Sequence, residues 1–109
     1  MIKESEVLLQ VEGLTVTRLH VCVEQSWVKP AQGDSGFLFD RLDVARLRLI
    51  CELSEDLAVN DDALPLVLSL IDQKHSLERR LRVLAQAISE QDEAVREKLA
   101  ARLQDQESE

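Results

Sequence analysis

The longest helical periodicity in the chain lies between Phe37 and Leu77. Leu47, Ile50, Cys51, Ser54 and Leu57 fall on one stripe, widened by Val44 and Leu53, while Arg46, Arg48, Glu52 and Glu55 point away; the pattern predicts a helix down to Leu57. Asp40, with Asp43 three residues on, has the spacing of a capping box, and acids in a first turn complement the helix dipole. After Ala58 and Val59, the run Asn60-Asp61-Asp62 supplies a break and a new N-cap. Pro65 is tolerated in a first turn, so a second helix starts at about Ala63 with Leu64, Val67, Leu68 and Ile71 as its apolar face.

The segment before this pair reads as a small module leaning on it. Val7, Leu8, Leu9 and Val11 fit either a short strand or a first helical turn. Gly13 then makes a turn and Thr15 an N-cap, with Val16, Leu19, Cys22 and Val23 on one face of a helix ending near Gln25. That is the outline of a helix-turn-helix. Trp27-Val28-Lys29-Pro30 reads as an extended strand, because Pro30 biases its predecessor away from helix. Ala31 to Gly36 is rich in turn formers and Phe37-Leu38-Phe39 returns as a second strand, giving a hairpin wing with Trp27 and both phenylalanines packed between wing and helices.

Beyond Asp72 the apolar pattern narrows to Leu77, Leu81, Leu84 and Ile88, the spacing of a coiled-coil seam. A helix from Ala63 to Ser89 would be about 40 Å long, longer than a small domain can cover. The seam either pairs with a second copy of the chain or is covered by Val95, Leu99 and Leu103 after a turn near Ser89 and Asp92. The basic run Lys74, Arg79, Arg80, Arg82 and the acidic run Glu90, Asp92, Glu93, Glu97 suit an antiparallel partner in both arrangements. The polar segment 104–109 reads as a disordered tail.

Composition narrows the class. The 109 residues hold 45% hydrophobic but only 3% aromatic side chains, which suits packed helices in one small domain. A net charge of -8 repels nucleic acid and speeds the approach of a basic partner protein. No apolar run is long enough for a membrane span and the start lacks a signal-peptide pattern, so a cytoplasmic protein is expected. Cys22 and Cys51 sit inside apolar stripes and read as buried free thiols.

Chemistry is sparse. His20 and Cys22 are two positions apart on a helix and cannot chelate one ion together; no phosphate loop, nucleophile motif or metal spacing occurs, so neither catalysis nor a cofactor is expected. A DNA-reading helix needs Arg, Lys, Asn or Gln outward and cations on the wing. The chain offers Thr17, Arg18, His20 and Glu24 on the helix and only Lys29 on the wing, so specific operator binding is disfavoured.

The residues Pro30, Gly36-Phe37, Phe39-Asp40, Leu47, Ile50, Leu53, Leu64 and Leu70, in this order of elements, resemble the MerR family, in which a winged helix-turn-helix is followed by two helices and a dimerising coiled coil. Within that superfamily the chain is similar to the CbpM family of chaperone modulators through Val28-Lys29-Pro30, Phe39-Asp40, Leu53 to Ala58 and Leu68-Ser69-Leu70-Ile71-Asp72. It departs from MerR regulators at Val23 to Ser26, where they carry an Arg-Tyr-Tyr-like segment, and from CbpM at Asn60 to Ala63, where an Asp-Trp-Pro-Gly type is found.

The expected fold is mainly α: a MerR-like winged helix-turn-helix over 1–76 with a short two-stranded wing, then a long C-terminal helix or helical hairpin over 77–103. The resemblance implies a chaperone modulator that binds the J-domain of a CbpA-type co-chaperone and inhibits its stimulation of DnaK. The alternative is a MerR-type DNA-binding regulator. A J-domain presents a basic helix, so the candidate contacts are acids near the junction of the central helices: Glu52, Glu55, Asp56, Asp61, Asp62 and Asp72. Leu77, Leu81, Leu84 and Ile88 are the candidates for self-association as a homodimer.

Overall fold

The computed structural model of the chain describes residues 1–107. A two-residue strand β1 (Ile2–Lys3) leads directly into helix α1 (Glu4–Gln10), so the ambiguous first segment is a helix with a strand before it. Helix α2 (Val16–Glu24), strands β2 (Ala31–Gly33) and β3 (Gly36–Phe39), and helices α3 (Arg41–Glu55), α4 (Leu64–Ser89) and α5 (Glu93–Glu107) follow. Two compact units result, Met1–Ser69 and Leu70–Glu109. The fold is a mainly helical winged helix-turn-helix with a long C-terminal helix.

Side-chain caps start the helices after α1. Thr15 accepts from the Arg18 backbone N–H at 3.1 Å, and Asn60 Oδ1 accepts from the Ala63 N–H at 2.9 Å. Asp40 and Asp43 form a reciprocal capping box at 2.8 and 2.9 Å. Asp92 caps α5 through the Val95 N–H at 3.0 Å. Between α1 and α2 the chain turns through Gly13 at φ +82°, a conformation costly for any residue with a Cβ.

The wing differs from its expected outline. Trp27-Val28-Lys29 is not a strand, because the Trp27 and Val28 N–H groups bond back to the Cys22 carbonyl and are spent on closing α2. Trp27 N–H to Cys22 (2.9 Å) and Ser26 N–H to Val23 (3.1 Å) are the two bonds of a Schellman end, with Ser26 in the left-handed position at φ 59°. Pairing begins only after Pro30, with Ala31 opposite Leu38 and Gly33 opposite Gly36. Strand β3 pairs on its other side with β1, Ile2 opposite Phe39, so the two-stranded wing gains a third strand in the order β1-β3-β2.

The core of the first unit includes Val7, Leu19, Phe39, Leu47, Ile50, Leu64 and Leu68, all essentially inaccessible to solvent. Trp27 and Phe39 are buried as expected, whereas Phe37, on the same face of β3 two residues earlier, lies next to the hairpin turn and stays exposed. Val16 lies exposed in the first turn of α2, off the face that buries Leu19 and Cys22. Helix α3 stops at Glu55 rather than Leu57: Ala58 turns left-handed at φ 53° and the Val59 N–H reaches the Leu53 carbonyl at 2.8 Å, which leaves Leu57 in solvent. Arg46 does not point away; its Nε donates to the Trp27 carbonyl and ties α3 to the end of α2.

In the second unit, α5 continues to Glu107, so most of the segment expected to be a disordered tail is helical; residues 108 and 109 lie outside the described part. Leu77, Leu81 and Leu84 remain exposed, Leu81 by 64%, and Ile88 is half-buried. Val95 and Leu103 on α5 are exposed as well, so α5 does not cover the seam as the hairpin arrangement requires.

Candidate functional site

Two surfaces of the first unit bear on function: the outward side of α2, where a reading helix would meet DNA, and the acids where α3 ends and α4 begins. A single side chain links them. Arg18 leaves α2 toward the junction, where Nη1 binds Asp61 Oδ1 at 2.8 Å and Nη2 donates to Ser54 Oγ. Its guanidinium lies 5.8 Å from the centre of the Trp27 ring, within cation–π range. Only 21% of its side chain is exposed, against 59% for Asp61.

This placement corrects the reading of Arg18 as an outward cation of the recognition helix. Nothing in helical spacing pairs it with a residue 43 positions away. The signal available in the sequence is Ser54, a hydroxyl inside an otherwise apolar stripe, which has to find a polar partner once the stripe is buried. His20, also on α2, is held by Glu4 at 3.0 Å. The exposed residues of α2 are Val16, Thr17, His20 and Glu24, with neither lysine nor arginine among them.

The candidate acids divide. Glu52, Glu55, Asp56, Asp61 and Asp62 are all exposed in the first unit, at the end of α3 and in the connection to α4. Asp72 belongs to the second unit, within α4, and the geometry of the first unit does not gather it with the others. Glu52, Glu55 and Asp56 line a groove of about 420 Å³ together with Glu12, which the spacing did not single out, and with Gln10, Arg48 and Cys51. Glu55 is drawn in close by the bare backbone of Gly13, where a Cβ would stand 2.6 Å from its Oε2. Among the described residues that line this groove Arg48 is the one cation, and it donates to the Gln10 carbonyl at 3.4 Å.

The thiols and the cap have perturbed acidities. Burial pushes Cys22 up to about 11, with Arg18 pulling the other way. Cys51 is raised by burial first and by Glu55 second, so neither thiol supplies a thiolate near neutral pH. Asp43 is also raised, by its partial burial in the capping box. Among the described residues no group of three or more His, Cys, Asp or Glu is placed to hold a metal ion, and no helix is long and apolar enough to cross a membrane.

The basic run of α4 is engaged at its start: Lys74 and His75 both lie near Glu78, at 3.5 and 3.6 Å. No curated protein and no solved structure gives a significant match to the chain. The family model described as MerR HTH family regulatory protein matches residues 4–86, from α1 through the wing and deep into α4. With the helix-turn-helix, the wing and the long helix all inside the matched span, the chain belongs to the MerR helix-turn-helix family of regulatory proteins.

Proposed function

We propose that this chain is a chaperone modulator of the CbpM type, acting in the cytoplasm without catalysis: it binds the J-domain of a CbpA-type co-chaperone and inhibits its stimulation of DnaK. The observation that carries the reading is the fate of Arg18. The recognition helix keeps its helix-turn-helix position, but its arginine is turned inward to Asp61, Ser54 and Trp27, and among the described residues the wing side offers only Lys29 and, on β1, Lys3 as cations. With a net charge of -8, such a surface has no means of collecting phosphates, the interaction that supplies nearly all nonspecific DNA affinity. The exposed acids Glu52, Glu55, Asp56 and Asp62, with Glu12 beside them, suit a basic helix instead.

The electrostatic contribution acts mainly on encounter, so raising salt slows association more than it hastens release. A second copy of the chain buries the seam Leu77, Leu81, Leu84 and Ile88. The test is calorimetry of the full chain against a purified J-domain, with Asp56→Lys and Asp62→Lys as variants. Asp61 is left intact in this pair, because a lysine there would face Arg18 and disturb the fold as well as the surface. Binding that weakens at least tenfold at unchanged helicity supports the reading, and unchanged affinity removes these acids from the interface. A discrete, competitor-resistant complex with a genomic DNA fragment in a mobility shift would favour the DNA-binding regulator instead.

A further inference from the structure

A second groove in the first unit has the opposite character to the acidic one. It encloses about 800 Å³ and is lined by Met1 and Ile2, by Gln10 at the end of α1, by Phe39 and Asp40, and by Arg41, Leu42, Val44 and Arg48 of α3. Its floor is apolar: Phe39 and Val44 are buried and Ile2 is half-buried. Two large apolar side chains stand on its rim in solvent, Met1 at 74% and Leu42 at 79% exposure. One exposed leucine on a surface is ordinary; two apolar rims over an apolar floor are a binding shape.

The charges on the groove are unusual for this molecule. Acids outnumber bases 21 to 13, yet the groove carries two exposed arginines and one acid. Asp40, the acid, is occupied by the capping box, where its carboxylate accepts from the Asp43 N–H at 2.8 Å. Among the described residues neither Arg41 nor Arg48 has a carboxylate within ion-pair distance, and the contact of Arg48 is the 3.4 Å bond to the Gln10 carbonyl. The two arginines are seven positions apart on one face of α3, hence about 10 Å apart along the axis at 1.5 Å per residue. A guanidinium fork is built for bidentate capture of a carboxylate, so the spacing is a two-point electrostatic frame around an apolar slot.

From this geometry we infer that the groove between β1, the end of α1 and the first turns of α3 is a docking surface for an acidic peptide segment of a partner protein: two carboxylates about 10 Å apart, flanking an apolar side chain that enters between Met1 and Leu42. The site is separate in chemistry from the acidic groove, although Gln10 and Arg48 border both. The chain would thus meet basic and acidic partners, or basic and acidic parts of one partner, on two adjacent faces of the same unit.

The test uses the full chain and a fluorescein-labelled decapeptide with two leucines flanked by glutamates, read by fluorescence anisotropy at low and high salt. Its two controls replace the glutamates by glutamines or the leucines by serines. The expected result is saturable binding of the first peptide, at least tenfold weaker for each control and for Arg41→Glu, Arg48→Glu and Leu42→Ser, all at solvent-exposed positions. Helicity by circular dichroism checks that each variant is folded, and amide shift mapping on the unaltered chain locates the peptide independently of any variant. Equal affinity for the glutamine peptide, shifts that map away from α1 and α3, or no binding up to millimolar peptide would overturn the assignment. So would a single-stranded oligonucleotide that displaces the peptide at equal concentration, since the frame would then be selecting polyanions rather than an acidic peptide.

Discussion

Removing the charge of Arg18 while keeping its stem, as in Arg18→Met, tests the linkage between the recognition helix and the α3–α4 junction. Three contacts are lost at once. The pair with Asp61 has one partner 59% exposed and is worth about 0.5 kcal/mol, the level of a solvent-screened ion pair. The charge-assisted bond to half-buried Ser54 contributes about 1.5 kcal/mol, the lower end for bonds to ionised groups. The cation–π contact with Trp27 at 5.8 Å adds about 0.5 kcal/mol. The sum is near 2.5 kcal/mol, and contacts sharing one side chain add imperfectly, so a loss of about 2 kcal/mol is expected. Trp27 is the only tryptophan and is buried against this arginine, so its fluorescence in a urea titration reports the unfolding of the first unit directly. A loss of this size lowers the thermal midpoint by on the order of 10 °C in a domain of this length. Asp61→Asn alone should cost only about 0.5 kcal/mol, and a double-mutant cycle of the two should return a coupling of similar size. Should Arg18→Met unfold within about 0.3 kcal/mol of the parent at the same denaturant slope, the guanidinium is not held at the junction. The recognition helix would then still present its cation outward.

Other outcomes follow from single features. Ser26→Gly should stabilise the first unit by about 0.5–1 kcal/mol in the same titration, because Ser26 sits left-handed at φ 59° in a Schellman end where glycine carries no Cβ penalty. The thiols should resist Ellman's reagent at pH 8 until the chain unfolds, and folding stability should decline as pH rises from about 9 toward 11. In that window the unfolded thiol of Cys22 has released its proton while the folded one still holds it, so the unfolded state gains from each added unit of pH. Leu81→Glu with Leu84→Glu should convert a dimer to a folded monomer by light scattering, and an unaltered chain that is monomeric at hundred-micromolar concentration would rule out pairing through this seam.

What the sequence determined by itself is the part of the structure made by neighbours. Thr15, Asp40 and Asn60 each satisfy an N–H three residues on, a contact between near neighbours, so the starts of α2, α3 and α4 were legible from spacing, whereas α5 is capped by Asp92 and not by Ser89, which ends α4. The amphipathic stripe of α3 likewise predicted which of its residues are buried, through Leu53. Its end was less legible, since stopping at Glu55 depends on Ala58 adopting a left-handed conformation that its residue type does not signal. Tertiary structure decided whatever joins distant parts of the chain. Arg46 of α3 came to bond the Trp27 carbonyl at the end of α2, and β1 joined the sheet because Ile2 was carried opposite Phe39. The same holds for the site. That the chain is rich in acids is a fact of composition, but that Arg18 turns inward to Asp61 and Ser54 while Arg41 and Arg48 face an apolar groove is decided by packing, which sets which charges meet a partner and which are left to solvent.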